Sequence, residues 1–311
     1  MKRLPLLLVL FTLLLSACAS NQAAATRPPA ATETAIELTD GLGRTVRLEN
    51  PAQRIVSLTP SNTEILFAVG AGEQVVGVDD FTNYPEQAQY LARIGGSMGD
   101  YNLEHIAALE PDLVLAAEIY TPEQVAALEG LGLTVFYLAN PDDLEGLYAM
   151  LNTAGRLTGH EEDAAALNDS LRRRVAAVLE KVEQVEERPS VFYELDGSEP
   201  SKPWTAGPDT FITMLIELAG GQNIAADLDQ SWVQISQEEL LVRDPDIILL
   251  GDATYGVTPE SVAERAGWEN LSAVKNSQVL PFNDDLVSRP GPRLVDALEQ
   301  LAELLHPDLF N

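Results

Sequence analysis

Two stretches of this chain, 134 residues apart, carry one pattern. Asn102-Leu-Glu-His-Ile-Ala-Ala-Leu-Glu-Pro-Asp-Leu-Val-Leu-Ala116 and Ser236-Gln-Glu-Glu-Leu-Leu-Val-Arg-Asp-Pro-Asp-Ile-Ile-Leu-Leu250 each open on a capping residue, run a short helix, turn at acid-Pro-Asp and enter an apolar strand. A looser match pairs Thr63 to Gly72 with Thr213 to Gly221. Between the copies, Glu161 to Glu187 has helical apolar spacing at Ala165, Leu167, Leu171, Val175, Val178, Leu179 and Val182, with no Gly or Pro until Pro189. As one helix of about 27 residues it would be ~40 Å long. Two similar lobes joined by one long helix leave a cleft, a common place for a small ligand. Helix–Pro-Asp–strand units also recur in α/β proteins without duplication, which is the competing reading.

Elsewhere strand and helix signals alternate, as in α/β domains. Ile36 to Thr39 turns at Asp40-Gly41 into Thr45 to Leu48. Arg54–Leu58, Val75–Val78, Leu113–Ala116 and Thr134–Leu138 read as strands. Leu103–Leu109 and Asp142–Leu157 read as helices, and Thr121 with Pro122 opens another. Ser61 or Asn62 is expected to cap the helix that ends at Gly70 and Gly72. The lobes are expected over 36–158 and 189–311, with the connecting helix over 159–188.

Residues 1–17 read as a secretory signal. Lys2 and Arg3 precede the apolar run Leu6–Leu15, about half the ~20 residues a spanning helix needs. Leu15-Ser16-Ala17-Cys18 resembles the lipobox of bacterial lipoproteins, which implies lipid on Cys18. An ordinary signal peptide with an incidental cysteine is the alternative. Cys18 is the only cysteine, so no internal disulfide is possible. Residues 18–35, rich in Ala, Thr and Pro, read as a flexible linker. The formal charge is −29, and loss of Lys2 and Arg3 with the signal makes it about −31. Such a surface repels phosphate backbones, which argues against nucleic acid as a partner and leaves the anchor as the expected tie to a membrane.

Several motifs together resemble a known family. Arg54-Ile-Val-Ser-Leu-Thr-Pro-Ser-Asn-Thr-Glu64, Val76-Gly-Val78, Asn83-Tyr-Pro85 and Asn102-Leu-Glu104 are similar to segments of the helical-backbone periplasmic binding proteins. Those proteins serve ABC importers of cobalamin, ferric siderophores and haem. Pro203-Trp-Thr-Ala-Gly207, Ala219-Gly-Gly-Gln-Asn223 and Arg289-Pro-Gly-Pro-Arg293 extend the likeness across residues 36–307. The Ser57–Glu64 stretch and the Asn-Tyr-Pro turn bring the cobalamin binders nearest.

The resemblance implies two Rossmann-like α/β lobes around a ligand cleft, in a monomer with no catalytic role and no cofactor of its own. Its ligand would be cobalamin or a related corrinoid, handed to a permease dimer. It implies ligand contacts from Tyr84, Met98, Trp204, Trp232, Asp285 and Arg289, and permease docking by Glu104 and Glu238. Flat rings suit a macrocycle, and Asp285 and Arg289 can hydrogen-bond peripheral amides. Arginine forks on a permease would grip the two glutamates, although Glu in a first helical turn is also favoured without a partner. Ser236 with Glu239 has the form of a capping box. Trp268 reads as structural, in a helical stretch. Cobalamin binders carry tryptophan where this chain has Met98, and another near Ala117, which leaves cobinamide, haem and siderophores open.

Three rivals remain. Gly95-Gly-Ser97-Met-Gly99 fits the G-x-S-x-G pattern of hydrolases, but Gln89–Ile94 is a poor strand, and the partner would have to be His105, His160 or His306. Three scattered histidines are too few for a bare metal ion. A siderophore or haem binder of the same fold is the main alternative. Anionic chelates want clustered cations, and Arg289, Lys202 and Arg293 are the candidates.

Overall fold

Asp40 shapes the first hairpin. Its buried carboxylate accepts from the amides of Leu42 and Arg44, both at 3.0 Å, so β1 (Ile36–Thr39) folds back on β2 (Thr45–Leu48). The structure, a computed structural model, describes residues 35–96 and 101–310. The signal segment, Cys18, the linker to residue 34, Ser97 and Met98 lie outside the described residues.

The first lobe is built on β3 (Ile55–Ser57), α1 (Pro60–Ala68), β4 (Val75–Val78), β5 (Ala92–Arg93), α2 (Leu103–Ala108), β6 (Leu113–Ala117), α3 (Pro122–Glu129), β7 (Val135–Leu138) and α4 (Leu144–Thr158). Its sheet is all parallel, in the order β5-β4-β3-β6-β7. β3, β6 and β7 are buried throughout, as parallel strands covered on both faces must be. Thr59, not Ser61 or Asn62, caps α1. Pro60 fixes the first helical position, so the two expected caps fall inside the helix and are buried. α3 opens as read, with Thr121 and Gln124 in a reciprocal capping box.

The spine is α5 (Glu161–Val182), 22 residues or ~33 Å, shorter than the apolar spacing allowed. Val182 is its last core-facing residue. Beyond it Gln184 and Val185 close tighter turns onto Lys181 and Val182.

The second lobe runs through β8 (Ser190–Asp196), β9 (Trp204–Ala206), α6 (Phe211–Leu218), β10 (Gln222–Asn223), β11 (Trp232–Gln234), α7 (Gln237–Arg243), β12 (Ile247–Leu250), α8 (Pro259–Ala263), α9 (Ser272–Lys275), β13 (Val279–Pro281), α10 (Leu294–Leu305) and α11 (Pro307–Phe310). The order is β11-β9-β8-β12-β13, with β10 also on β8. β9 pairs antiparallel with both β8 and β11, and the other pairs are parallel. One apolar core runs from Ile55, Leu115 and Phe136 through Leu171, Val175 and Val178 of α5 to Val191, Leu249 and Leu298. Arg174 of α5 adds ion pairs to Asp296 and Glu299 of α10.

The repeat is physical. Asp112 accepts from the amides of Gln53 and Arg54 at 2.8 and 3.0 Å, and its own amide donates to Arg54. Asp246 accepts from the amide and hydroxyl of Ser190 at 2.8 and 2.7 Å, and its amide donates to Ser190. In the looser match, α1 and α6 stop at Gly70 and Gly220, both at positive φ (92° and 86°), a conformation that suits glycine.

Candidate functional site

In open parallel sheets, ligands sit beyond the carboxyl ends of the strands. A cleft of about 770 Å³ lies there between the lobes. Glu118 and Asn140–Asp142, which follow β6 and β7, line it from the first lobe. Asp209–Phe211, Ser231, Trp232, Val287, Ser288 and Pro290 line it from the second. The size suits a bound small molecule. Among the described residues its wall carries the carboxylates of Glu118, Asp142 and Asp209 and no Arg, Lys or His.

Two of the expected rings share one face of a ladder, and of the two Trp232 lines the cleft. Trp232 is 51% and Trp204 41% exposed. The β9–β11 register puts Trp232 opposite Ala206 and Trp204 opposite Gln234, so both tryptophans stand on one face of the ladder, diagonal neighbours. Tyr84 is exposed but lines a different cavity, of about 360 Å³, beside Glu64, Phe67, Leu171 and Arg293. The guanidinium of Arg293 lies 4.2 Å from the centre of its ring. Met98 lies outside the described residues. Trp268 is fully buried in a short 3₁₀ turn rather than a helix, with its indole N–H donating to the Pro200 carbonyl at 3.2 Å.

Phe81, Ile119 and Tyr255, which the sequence does not single out, stand exposed near the same ends of the sheets. Each is a large exposed side chain two to five positions beyond the carboxyl end of β4, β6 or β12. A bulky apolar residue just past a buried strand, where packing does not require it, is the signal that would have flagged them.

Asp285 and Arg289 come together, but in a network that crosses the seam between lobes. Glu64 of α1, its side chain 1% exposed, accepts from Arg293 Nε at 2.7 Å, Arg293 Nη2 at 2.6 Å and Arg289 Nη1 at 3.0 Å. Arg289 also donates to Asn83 Oδ1 at 2.7 Å and pairs with Asp285 at 2.7 Å, while Asn83 Nδ2 donates to Asp285 at 3.0 Å. Burial works against charge on Arg293, but its bonds to Glu64 outweigh this and raise its pKa. Asp79, buried just behind, has its pKa raised by desolvation.

A second buried acidic group lies near the carboxyl ends of β8 and β12. Glu194 makes a bidentate pair with Arg265 at 2.5 and 2.9 Å. Asp252 accepts from the Gly197 amide at 2.8 Å through one oxygen, and its other oxygen is buried without a hydrogen-bond partner. Desolvation raises the pKa of both carboxyls. A Cβ at Gly197 would press on the ends of the Glu194 and Arg265 side chains and displace that pair.

Glu104 and Glu238 occupy equivalent first turns of α2 and α7, both exposed and neither ion-paired among the described residues. Asn102 caps α2 through the amide of His105, and Ser236 caps α7 through the amide of Glu239. The capping box is not closed: the Glu239 carboxylate goes to Arg243 at 2.7 Å instead, a stronger, charged partner. Among the described residues no group of three or more His, Cys, Asp or Glu is placed to hold a metal ion.

Residues 55–286 match the profile of the periplasmic binding protein family. The uncharacterized ABC transporter substrate-binding lipoprotein YvrC of Bacillus subtilis is 33% identical over 281 residues, 89% of this chain and 87% of that protein. A cobalamin-binding protein of Halobacterium salinarum is 35% identical over 280 residues, 86% of this chain and 73% of that protein. The periplasmic haem-binding protein RhuT of Roseiflexus has a similar structure, with a TM-score of 0.74 and 28% identity over 83% of this chain and 99% of that one.

Proposed function

Because this chain belongs to the periplasmic binding protein family, whose members bind solutes and are not enzymes, we propose that it captures cobalamin or a related corrinoid and delivers it to an ABC importer. The observation that carries this reading is the cleft: Trp232 and Phe211 on one side of it and three carboxylates on its wall. A corrin is a large flat amphiphile whose periphery is mostly neutral amide, and its cobalt brings positive charge. Haem brings two propionates and catecholate siderophores more negative charge. Either would meet Glu118, Asp142 and Asp209, while Arg289 and Arg293 are already engaged by Glu64. The likeness to RhuT supports a second reading, haem or a ferric siderophore in the same cleft.

In this proposal Trp204 and Trp232 hold a ring face, with Met98 as a further contact. Glu104 and Glu238 dock the permease dimer, and Cys18 carries the lipid anchor on the outer face of a membrane. The continuous 22-residue spine and shared core favour small lobe movement over wide hinge closure. Titration with cyanocobalamin, aquocobinamide, haem and ferric siderophores, followed by tryptophan fluorescence, tests it. Quenching by the two corrinoids and not by haem is the expected result. Preference for haem or an anionic siderophore would overturn the corrinoid reading and leave the second one standing.

A further inference from the structure

The loop that carries Asp285, Arg289 and Arg293 also carries Val287, Ser288 and Pro290, which form part of the cleft wall. One side of this loop therefore faces the cargo space while the other is fastened to Glu64 and Asn83 of the opposite lobe. The fastening is buried: the side chains of Arg289 and Arg293 are 13% and 12% exposed, against 1% for Glu64. Removing one member of such a group strands the remaining charges away from water, so the group holds or fails as a unit.

We infer that Glu64 is the positioning residue of the cleft, a latch that fixes the spacing of the two lobes through Arg289 and Arg293. Escape of cargo passes through rupture of that latch. Asp285 and Arg289 then act on cargo indirectly, by holding the wall between them in place. This goes beyond the choice of ligand, since any cargo in this cleft is bounded by the same loop.

The latch makes a kinetic prediction. Truncating one partner of a buried, hydrogen-bonded charge group acts on dissociation more than on encounter. In stopped-flow measurements on the full chain with cyanocobalamin, Glu64→Gln and Arg289→Met should each speed dissociation by about tenfold or more. Association should stay within about threefold, and the Glu64→Gln/Arg289→Met double variant should be no worse than the worse single. Additive effects, or an Arg289→Met defect with Glu64→Gln unchanged, would mean that Arg289 touches cargo directly and would sink the latch.

Hydrogen exchange without cargo supplies an independent arm. Glu64→Gln should hasten exchange in both 79–84 and 284–293, which lie in different lobes. Acceleration in neither segment, or only one, overturns the proposal. Should Glu64→Gln fail to fold, the rim variant Asn83→Ala must still hasten dissociation, by less than Arg289→Met; an unchanged rate counts against the latch. If cyanocobalamin does not bind, the corrinoid reading falls and the exchange arm still decides the latch.

Discussion

In the first lobe Asp112 ties the start of β6 to the residues before β3, and in the second Asp246, 134 positions on, ties the start of β12 to the start of β8. On the short helices that precede these turns, Glu104 and Glu238 stand exposed at matching positions. At the cleft the lobes part company. The second lobe offers Trp232 from an antiparallel ladder, while the first offers Glu118 and Asn140–Asp142 from the loops after β6 and β7. Matching ends suit a partner that is itself a pair, and a cleft built from unlike halves suits a ligand with no such symmetry. Under the proposed function, the contrast separates what each lobe would give the permease from what it would give the cargo.

The largest expected effect tests the matching ends. Glu104→Arg with Glu238→Arg should abolish uptake in a transport assay and leave cargo affinity unchanged, and each single variant should lose a similar part of the activity. Loss of affinity in the double variant would move these residues from docking to binding. Next comes the unlike end. Trp232→Ala should weaken cargo binding by roughly 2 kcal/mol, about thirtyfold, as loss of a buried aromatic anchor does, and Ile119→Ala by far less. Equal losses in a titration would erase the asymmetry.

Smaller effects concern stability. Asp112→Ala and Asp246→Ala should each cost about 1 kcal/mol in denaturant unfolding, because each removes a charged acceptor from two donors. A large inequality would show that the repeat is shared in shape but not in energy. The smallest effect belongs to the second lobe alone. Glu194 and Asp252 have raised pKa values through desolvation, so the folded state holds protons that the unfolded state releases. Their contribution to stability therefore falls as pH rises from the ordinary carboxyl range through the raised values. Asp252→Asn keeps an acceptor for Gly197, removes one buried charge and offers a donor to Glu194. Its melting temperature near pH 7 should rise, with a shallower pH dependence. A lower melting temperature would show that the Asp252 charge is stabilising.

Residues close together in the chain made much of the fold legible. β4 spans Val75–Val78 as its apolar run indicated, Thr121 with Pro122 starts α3, and the two Pro-Asp turns appear where the repeat placed them. The misreadings near the first helix and the Ser236–Glu239 box came from competition between neighbours. Pro60 settled one start and Arg243 drew away a carboxylate.

Strand and helix signals, caps, the internal repeat and the family likeness follow from the amino-acid order, because each depends on periodicity and hydrogen bonding over a few residues. The tertiary structure alone decided that Glu64 would meet Arg293, 229 positions away, and that Asp285 and Arg289 would face the seam. It also decided that the cleft wall would be acidic. Such meetings depend on strand order and on how two lobes pack along one spine, and a charged side chain carries no local mark of the partner it will find.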